Sequence, residues 1–407
     1  MGVYLDHAAT TPMRAEAIAA YTDALAAGAN PASIHSAGQR AKQLLEESRE
    51  RIAATLGVDG IEVVLTGSGT EAINLAIKGL YWARRAADPV RTRILLPGGE
   101  HHATLDSVEW LAAHDGAIVE ELPLDRAGRL DLDALAAALS DSSDVALVTM
   151  LVANNEVGTI EPVVEASRLA ARAGVPLHLD AVAAYGQLPI EFGAWRRESG
   201  SGRGSGLVAL SVSAHKIGGP SGVGALVLDR SATIEALLHG GGQQRRIRSG
   251  TQDVAGAAAF AEAAALAAVE LPAHAARLAV LRDRLIAGVR ASVPDAVLSG
   301  PEPGPERLPG NANFAFPGCE GDSLLFLLDA AGVAVSTGSA CTAGVPEASH
   351  VLLAMGRTEP EARSALRMTL GHGTTEADVD AFLAALPDAV SRASRAGMAS
   401  RQTSFDR

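Results

Sequence analysis

The chain has 407 residues, of which 48% are hydrophobic and 20% are charged, and this composition is typical of an ordinary globular protein rather than a disordered or fibrous one. The net charge of -13 argues against direct binding of nucleic acid, which requires clustered lysine and arginine. The length favours two domains.

The sequence also argues against a membrane protein and against a disulfide-rich one. We expect no apolar stretch to reach the roughly 18 residues that span a bilayer, and residues 1–6 do not resemble the start of a secretory leader, so we predict a cytoplasmic protein without membrane binding. Cys319 and Cys341 are too few for a disulfide framework. They also lack the spacing of metal ligands, and we expect no metal site.

Between about residues 50 and 260, short apolar runs alternate with helical patterns. This alternation predicts an α/β fold, with a mostly parallel seven-stranded sheet and helices on both faces. Apolar residues that recur three or four positions apart predict helices at 69–86, 101–114, 132–139 and 162–173. The predicted strands are 62–66, 93–96, 117–122, 145–151, 176–180, 207–211 and 224–228.

The pattern changes after a long alanine-rich helix predicted at 252–292. A strand near 311–316, a helix at 322–331, a short strand at 333–336 and helices near 358–366 and 375–395 predict a smaller α+β domain. We expect residues 16–262 to form the large domain and 263–396 the small one. Residues 1–15 should pack on the small domain, and residues 397–407 should form a flexible tail.

Residues 66–71 read Thr-Gly-Ser-Gly-Thr-Glu and lie between a predicted strand and a predicted helix. Glycines there let the backbone approach an anion, and the first turn of a helix presents N–H groups without partners. A phosphate cradle is one interpretation. An ordinary glycine-rich turn, with Thr70 as the helix N-cap, is the other.

Two ionisable residues lie at or just after the ends of predicted strands. Asp180 ends a strand, where a half-buried carboxylate needs a cationic partner such as a protonated pyridine nitrogen. Lys216 follows another strand, where enclosure lowers the pKa of a lysine and makes it a nucleophile, although a surface lysine is the ordinary alternative. Pyridoxal 5'-phosphate needs a lysine for its aldehyde, a carboxylate for its ring nitrogen and donors for its phosphate, and the sequence offers all three.

An ordered set of motifs covers nearly the whole chain and resembles the cysteine desulfurases, pyridoxal-phosphate enzymes of the class-V aminotransferases (fold type I). The segment around Cys341 is similar to the group that carries its catalytic cysteine on a long mobile loop. The motifs are LDHAATTP at 5–12, NPASIH at 30–35, EHH at 100–102, NNEVG at 154–158, HLDA at 178–181, HK at 215–216, HGGG at 239–242, RSGT at 248–251, STGSACT at 336–342 and RMTLG at 367–371.

The resemblance implies a role for each matching residue. Lys216 would hold the cofactor aldehyde, Asp180 would pair with the ring nitrogen and His101 would stack on the ring. Asn155 would lie near the ring hydroxyl and the substrate, and Arg367 would bind the substrate carboxylate. The phosphate would be held by Gly69, Thr70, Ser213 and His215, with Thr251 reaching in from the partner subunit of a homodimer.

Several of these residue types also have ordinary structural explanations. His101 suits the start of a helix, Asn155 suits a turn and Arg367 suits a surface ion pair. Cys341 lies in a small-residue segment where the resemblance implies a nucleophile, although a free cysteine is more often simply buried. We interpret Cys319 as structural.

The resemblance implies a reaction in which L-cysteine becomes L-alanine and Cys341 carries a persulfide. Lys216 or His101 would move the substrate α-proton. An acceptor protein, such as an iron–sulfur scaffold or a tRNA thiolase, would then take the sulfur.

One position departs from the family pattern. Ala183 stands where the family usually has a glutamine that contacts the ring hydroxyl, and a lost neutral hydrogen bond costs about 1 kcal/mol. Two alternatives therefore stay open beside the desulfurase. One is an enzyme like selenocysteine lyase or another fold type I relative, and the other is a weakly active paralogue that serves as a binding subunit.

Overall fold

The computed structural model describes residues 2–338 and 348–403. The strands are β1 (Val3–Tyr4), β2 (Val63–Thr66), β3 (Arg93–Pro97), β4 (Ile118–Leu122), β5 (Val145–Leu151), β6 (Pro176–Asp180), β7 (Gly206–Ser213), β8 (Gly224–Leu228), β9 (Val297–Ser299), β10 (Asn311–Ala315), β11 (Val333–Ala334) and β12 (Ala365–Thr369). The helices are α1 (Ala15–Ala26), α2 (Ser36–Ala54), α3 (Gly69–Ala87), α4 (His102–Asp115), α5 (Leu132–Ala138), α6 (Val163–Arg172), α7 (Phe192–Ser199), α8 (Val254–Ser292), α9 (Gly321–Ala330), α10 (His350–Ala354), α11 (Glu359–Arg363) and α12 (Glu376–Thr403).

The predicted seven-stranded sheet is confirmed, with strand order β2-β8-β7-β6-β5-β3-β4. The strands from β7 to β4 in this order are parallel, and β8 runs antiparallel to both of its neighbours. Every residue of β5, β6 and β7 is buried, which explains why these strands are continuous apolar runs in the sequence. Because these three strands are parallel, their carboxyl ends meet at one edge of the sheet.

A second core surrounds a three-stranded antiparallel sheet of order β12-β10-β9. Helix α8 contributes to both cores: Ala257 and Ala264 pack in the first, and Leu278 and Leu285 pack in the second. Strand β1 pairs with β11, and Leu5 packs in the second core. The division at residues 15, 262 and 396 stays a proposal, and the contacts of Ala264 place the change from the first core to the second beyond residue 264 of α8.

Three features of the C-terminal half differ from the sequence expectations. The helix predicted near 358–366 is wrong at its end, because β12 begins at Ala365 and pairs with β10. Strand β9 was not predicted, and helix α12 continues to Thr403, into the segment expected to be a tail. Pairing with a buried neighbouring strand outweighs the helix propensity of a short run.

Helix α8 also corrects the expectation that no apolar stretch is long enough to cross a membrane. Its length and composition meet that requirement over an 18-residue window of mean hydropathy 1.6. However, 56% of this window is buried inside the protein, and helices α1 and α2 pack along α8. Among the described residues, α8 is therefore a core helix made apolar by its alanines.

Candidate active site

A cleft of about 430 Å³ opens where the carboxyl ends of β5, β6 and β7 meet. Residues that follow these three strands line it, together with the start of α3 and residues near β1 and β12. The described lining residues are Ala8, Ala9, Ser68, Gly69, Thr70, Ile73, His101, Leu151, Asn155, Asp180, Val182, Ala183, Ser213, His215, Lys216, Ser336, Gly338 and Arg367.

Lys216 lies in a short turn of helix that directly follows β7. Its Nζ donates hydrogen bonds to the carbonyl oxygens of Ala8 and Ala9, the latter at 2.9 Å. Burial, with a smaller contribution from the positive charge of Arg367, lowers the pKa of Lys216 to about 8. The neutral, nucleophilic amine is therefore far more populated near neutral pH than it is in an exposed lysine.

The chain has three lysines, and Lys216 is the one in the cleft. Lys42 is exposed on α2. Lys78 lies on α3 with its Nζ 4.5 Å from the centre of the Trp110 ring, in a cation–π contact. A cofactor that requires a lysine in this cleft has a single candidate.

Asp180 ends β6 and is only 2% exposed. Its Oδ1 accepts a hydrogen bond of 2.9 Å from the backbone N–H of Val182, and no ion pair to Asp180 forms within the described residues. Burial raises the pKa of this carboxyl to about 6, although Lys216 opposes the shift. The site thus presents a desolvated acid that a protonated ring nitrogen would stabilise in its ionised form.

His101 is the N-cap of α4, and its Nδ1 accepts a 3.0 Å hydrogen bond from the backbone N–H of Ala103. Desolvation by the surrounding protein, together with the neighbouring positive charge of Lys216, lowers the pKa of His101 to about 4. The imidazole is therefore neutral at pH 7, and the bond at Nδ1 leaves the proton on Nε2. A neutral ring exposed to the cleft suits stacking on an aromatic cofactor.

One end of the cleft fits a phosphate group. The N–H groups of Gly69 and Thr70 begin α3 and have no acceptor inside the helix. A Cβ atom added at Gly69 would lie 2.8 Å from Val182 Cγ2 and 3.2 Å from Ser213 Cβ, so only glycine fits there. The buried Oγ of Ser213 has no hydrogen-bond partner among the residues that the structure describes, as expected of a group that binds a ligand.

Arg367 reaches the cleft from β12, and its side chain is 6% exposed. Its Nη2 lies 2.9 Å from Asp6 Oδ1, and its Nη1 donates to the backbone carbonyl of Asn155 at 3.3 Å. The buried Nε has no partner among the described residues. These contacts fix a guanidinium in the cleft, where a planar donor recognises a carboxylate.

The structure thus brings together most of the residues that the sequence singled out. Nine of them line one cleft: Gly69, Thr70, His101, Asn155, Asp180, Ser213, His215, Lys216 and Arg367. Thr251 lines a separate pocket instead, beside Thr66 and Arg248. Cys341 lies outside the described residues.

Sequence reasoning gave no role to Asp6 or to the carbonyls of Ala8 and Ala9, although all three belong to the first motif. Ala183 lines the cleft, so the position at which the sequence departs from the family pattern belongs to the site. Cys319 is buried, and burial raises the pKa of its thiol, as expected of an unreactive cysteine.

Comparison with known proteins agrees with this geometry. The IscS-like cysteine desulfurase of Mycobacterium tuberculosis (strain ATCC 25618 / H37Rv) is 54% identical over 396 residues, covering 97% of this chain and 98% of that protein. Cysteine desulfurase IscS of Dictyoglomus turgidum is 40% identical, covering 93% of this chain and 92% of that protein.

Solved structures show the same fold. A NifS-like protein superposes with a TM-score of 0.86 at 32% identity, covering 96% of this chain and 100% of that one. The structure of SspA in complex with cysteine gives a TM-score of 0.75 at 27% identity, covering 90% and 98%. Residues 3–382 match the family model described as aminotransferase class-V, and the chain therefore belongs to this family, in its cysteine desulfurase branch.

Proposed function

We propose that this enzyme uses pyridoxal 5'-phosphate to convert L-cysteine to L-alanine and passes the sulfur on through a persulfide on Cys341. The observation that carries the proposal is that Lys216 and the buried Asp180 lie in one cleft, which also contains a candidate phosphate cradle. Burial lowers the pKa of Lys216 to about 8 and raises that of Asp180 to about 6. These groups match the three parts of the cofactor.

In this proposal each part of the cofactor has its own binding residues. Lys216 holds the aldehyde, Asp180 pairs with the ring nitrogen and His101 stacks on the ring. The phosphate is bound by Gly69, Thr70, Ser213 and His215. When bound, the cofactor supplies an electrophilic aldehyde and a ring that accepts electron density from the substrate carbon.

The remaining residues orient the substrate and move its proton. Arg367 binds the substrate carboxylate, and its contacts with Asp6 and with the Asn155 carbonyl hold the guanidinium in place. Lys216, as a neutral amine, or His101, as a neutral imidazole, takes the α-proton, and both bases are available near neutral pH.

Cys341 is the nucleophile of the sulfur step in this proposal. Its thiolate attacks the substrate sulfur, so that an S–S bond forms while the C–S bond breaks and leaves its electron pair on the substrate carbon. That β-carbon takes up a proton and becomes the methyl group of alanine, and the α-carbon takes back the proton held by Lys216 or His101. The persulfide on Cys341 then transfers its outer sulfur to the thiol of an acceptor protein, such as an iron–sulfur scaffold or a tRNA thiolase.

We further propose a cytoplasmic homodimer in which Thr251 of each subunit completes the phosphate site of its partner. The position of Thr251 away from the cleft of its own chain supports this assignment. The names IscS and NifS of the relatives favour a desulfurase over a selenocysteine lyase. The shared cleft of Lys216, Asp180 and His101 favours an active enzyme over a binding subunit.

The lysines provide the test. The purified enzyme should absorb in the visible range, and with L-cysteine and a reductant it should release alanine and sulfide in equal amounts. Lys216→Ala should abolish both the absorbance and the activity, whereas Lys42→Ala and Lys78→Ala should retain them. Unchanged cofactor absorbance in Lys216→Ala would show that the assignment is wrong.

A further inference from the structure

Glu156 is a buried carboxylate that the assigned chemistry does not use. It is 3% exposed and lies in the turn after β5, next to Asn155. The side chain of Asn154 fixes this turn, because its Oδ1 accepts hydrogen bonds from the backbone N–H groups of Glu156 and Val157 at 2.9 and 3.0 Å. Glu156 is absent from the described lining of the cleft, so it does not touch the substrate there.

The Glu156 carboxylate contacts the chain on both sides of the segment 339–347, which contains Cys341. On the far side, Ser349 Oγ donates a 2.6 Å hydrogen bond to Glu156 Oε2. On the near side, a Cβ added at Gly338 would lie 3.3 Å from the same oxygen, so the backbone of Gly338 packs directly against it. One carboxylate oxygen therefore contacts the chain on both sides of this segment.

Both sides of this segment are also tied to residues of the cleft. Ser336 and Arg367 exchange backbone hydrogen bonds, the one from the Ser336 N–H measuring 3.1 Å. Beyond the segment, the His350 Nε2 lies 2.8 Å from the backbone carbonyl of Glu100, the residue before His101. These bonds do not involve Glu156, so they should keep both sides of the segment beside the cleft when Glu156 is replaced.

We propose that Glu156 is a positioning residue, which holds Gly338 and Ser349 in place beside the cleft and thereby sets the rate at which Cys341 gains the substrate sulfur. The inference rests on the proposed function, since it assumes that Cys341 is the nucleophile. Glu156 acts through its contacts with Gly338 and Ser349 and not on the reacting atoms. Its loss should therefore slow sulfur transfer without weakening the binding of cofactor or amino acid.

The test is the rate at which Cys341 gains a persulfide in a single turnover of the loaded enzyme. In Glu156→Ala this rate should fall at least tenfold, while the cofactor absorbance and the dissociation constant for L-alanine stay within twofold of wild type. Glu156→Gln should recover most of the rate, because its amide oxygen still accepts from Ser349. Ser349→Ala should slow the reaction as Glu156→Ala does, and the double variant should be no slower than either single one.

A matched control separates this contact from the second role of Ser349. The same hydroxyl caps α10 by accepting from the backbone N–H of Leu352 at 3.2 Å. Ser349→Thr keeps both the donor and the cap, and it should react at nearly the wild-type rate. If Glu156→Ala does not fold, Glu156→Gln and Ser349→Ala with its threonine control carry the test.

Two results would overturn the inference. One is a wild-type persulfide rate in Glu156→Ala or Ser349→Ala. The other is a loss of cofactor and L-alanine binding in proportion to the loss of rate, which would indicate a general structural role. A wild-type enzyme that releases no alanine from L-cysteine is a different failure, because it removes the proposed function and this inference with it.

Discussion

Burial in one cleft shifts the pKa values of Asp180 and Lys216 in the directions that favour the neutral forms of both side chains. The pKa of the Asp180 carboxyl is raised to about 6 and the pKa of the Lys216 amine is lowered to about 8, and burial is the largest cause of both shifts. In the protein alone the two groups are poorly solvated. A ligand with a ring cation and an aldehyde would satisfy both of them.

Asp180 should therefore destabilise the cofactor-free protein at neutral pH. The native carboxyl titrates near 6 and the unfolded one near 3.9, so the native state binds more protons between these values, and stability falls as the pH rises through them. The cost at pH 7 is on the order of 3 kcal/mol. Asp180→Asn removes it, and urea unfolding of the cofactor-free variant should show higher stability at pH 7 and a shallower fall between about pH 4 and pH 6.

The same substitution should weaken cofactor binding, because a neutral amide does not pair with a protonated ring nitrogen. Glu100 and Glu161 also have a raised pKa through burial. Wild type and variant both contain them, and the charge of Asp180 is a smaller cause of the Glu100 shift than burial, so the difference between the two proteins reports mainly on Asp180. Parallel stability curves for the two proteins would contradict this assignment.

Local sequence patterns indicate some residues of the site and not others. Asp180 and Lys216 were predictable because each follows a strand whose carboxyl end meets the others at one edge. The pair between Arg367 and Asp6 joins residues 361 positions apart, and no local pattern indicates such a contact. The carbonyls of Ala8 and Ala9 that hold Lys216 are backbone atoms, which every residue type provides.

At the start of α3, glycine is required for the proposed phosphate cradle to stay open. Gly69→Ala should bind pyridoxal 5'-phosphate at least tenfold more weakly, about 1.4 kcal/mol, because the added methyl would meet Val182 and Ser213. Alanine has the higher helix propensity, so an effect in this direction comes from the clash and not from the helix.

Two controls make this prediction specific to phosphate binding. Pyridoxal, which lacks the phosphate, should lose much less affinity for Gly69→Ala than the phosphorylated cofactor does. Gly373→Ala should leave cofactor affinity unchanged, since nothing lies within 4 Å of the added atom. Equal losses for both ligands would contradict a phosphate site at the start of α3.

The strands of the large sheet were predictable from sequence because they are short, apolar and separated by clear helical patterns. Their bounds agree with the structure to within two residues at each end. Strands β9 and β12 were not predicted, because they owe their conformation to pairing with β10 rather than to their own residues. Both lie in the smaller sheet, which the sequence described only as a mixture of strands and helices.

In the molecule as a whole, the site draws on both cores. Asp180 and Lys216 follow strands of the seven-stranded sheet, whereas Arg367 comes from β12 of the smaller sheet. Helix α8 runs through both cores. The residues proposed to bind the cofactor and the substrate carboxylate therefore come from two different sheets.

The proposed dimer makes a prediction that distinguishes the two possible sites of action of Thr251. In a mixed dimer of one Thr251→Ala subunit and one Lys216→Ala subunit, the single lysine-bearing cleft should receive an intact threonine from its partner. That cleft should bind pyridoxal 5'-phosphate with wild-type affinity, whereas the Thr251→Ala homodimer should bind it more weakly. Equally weak binding by the mixed dimer would show that Thr251 acts within its own chain.

The most direct measurement is the mass of the intact enzyme after one turnover with L-cysteine in the absence of reductant. Wild type should gain the mass of one sulfur atom, located on the peptide that contains Cys341, and should release one alanine per loaded site. Cys319→Ser should behave in the same way, and Cys341→Ser should gain no sulfur. Alanine release that is unchanged in Cys341→Ser, or an added sulfur on Cys319, would contradict the proposed reaction.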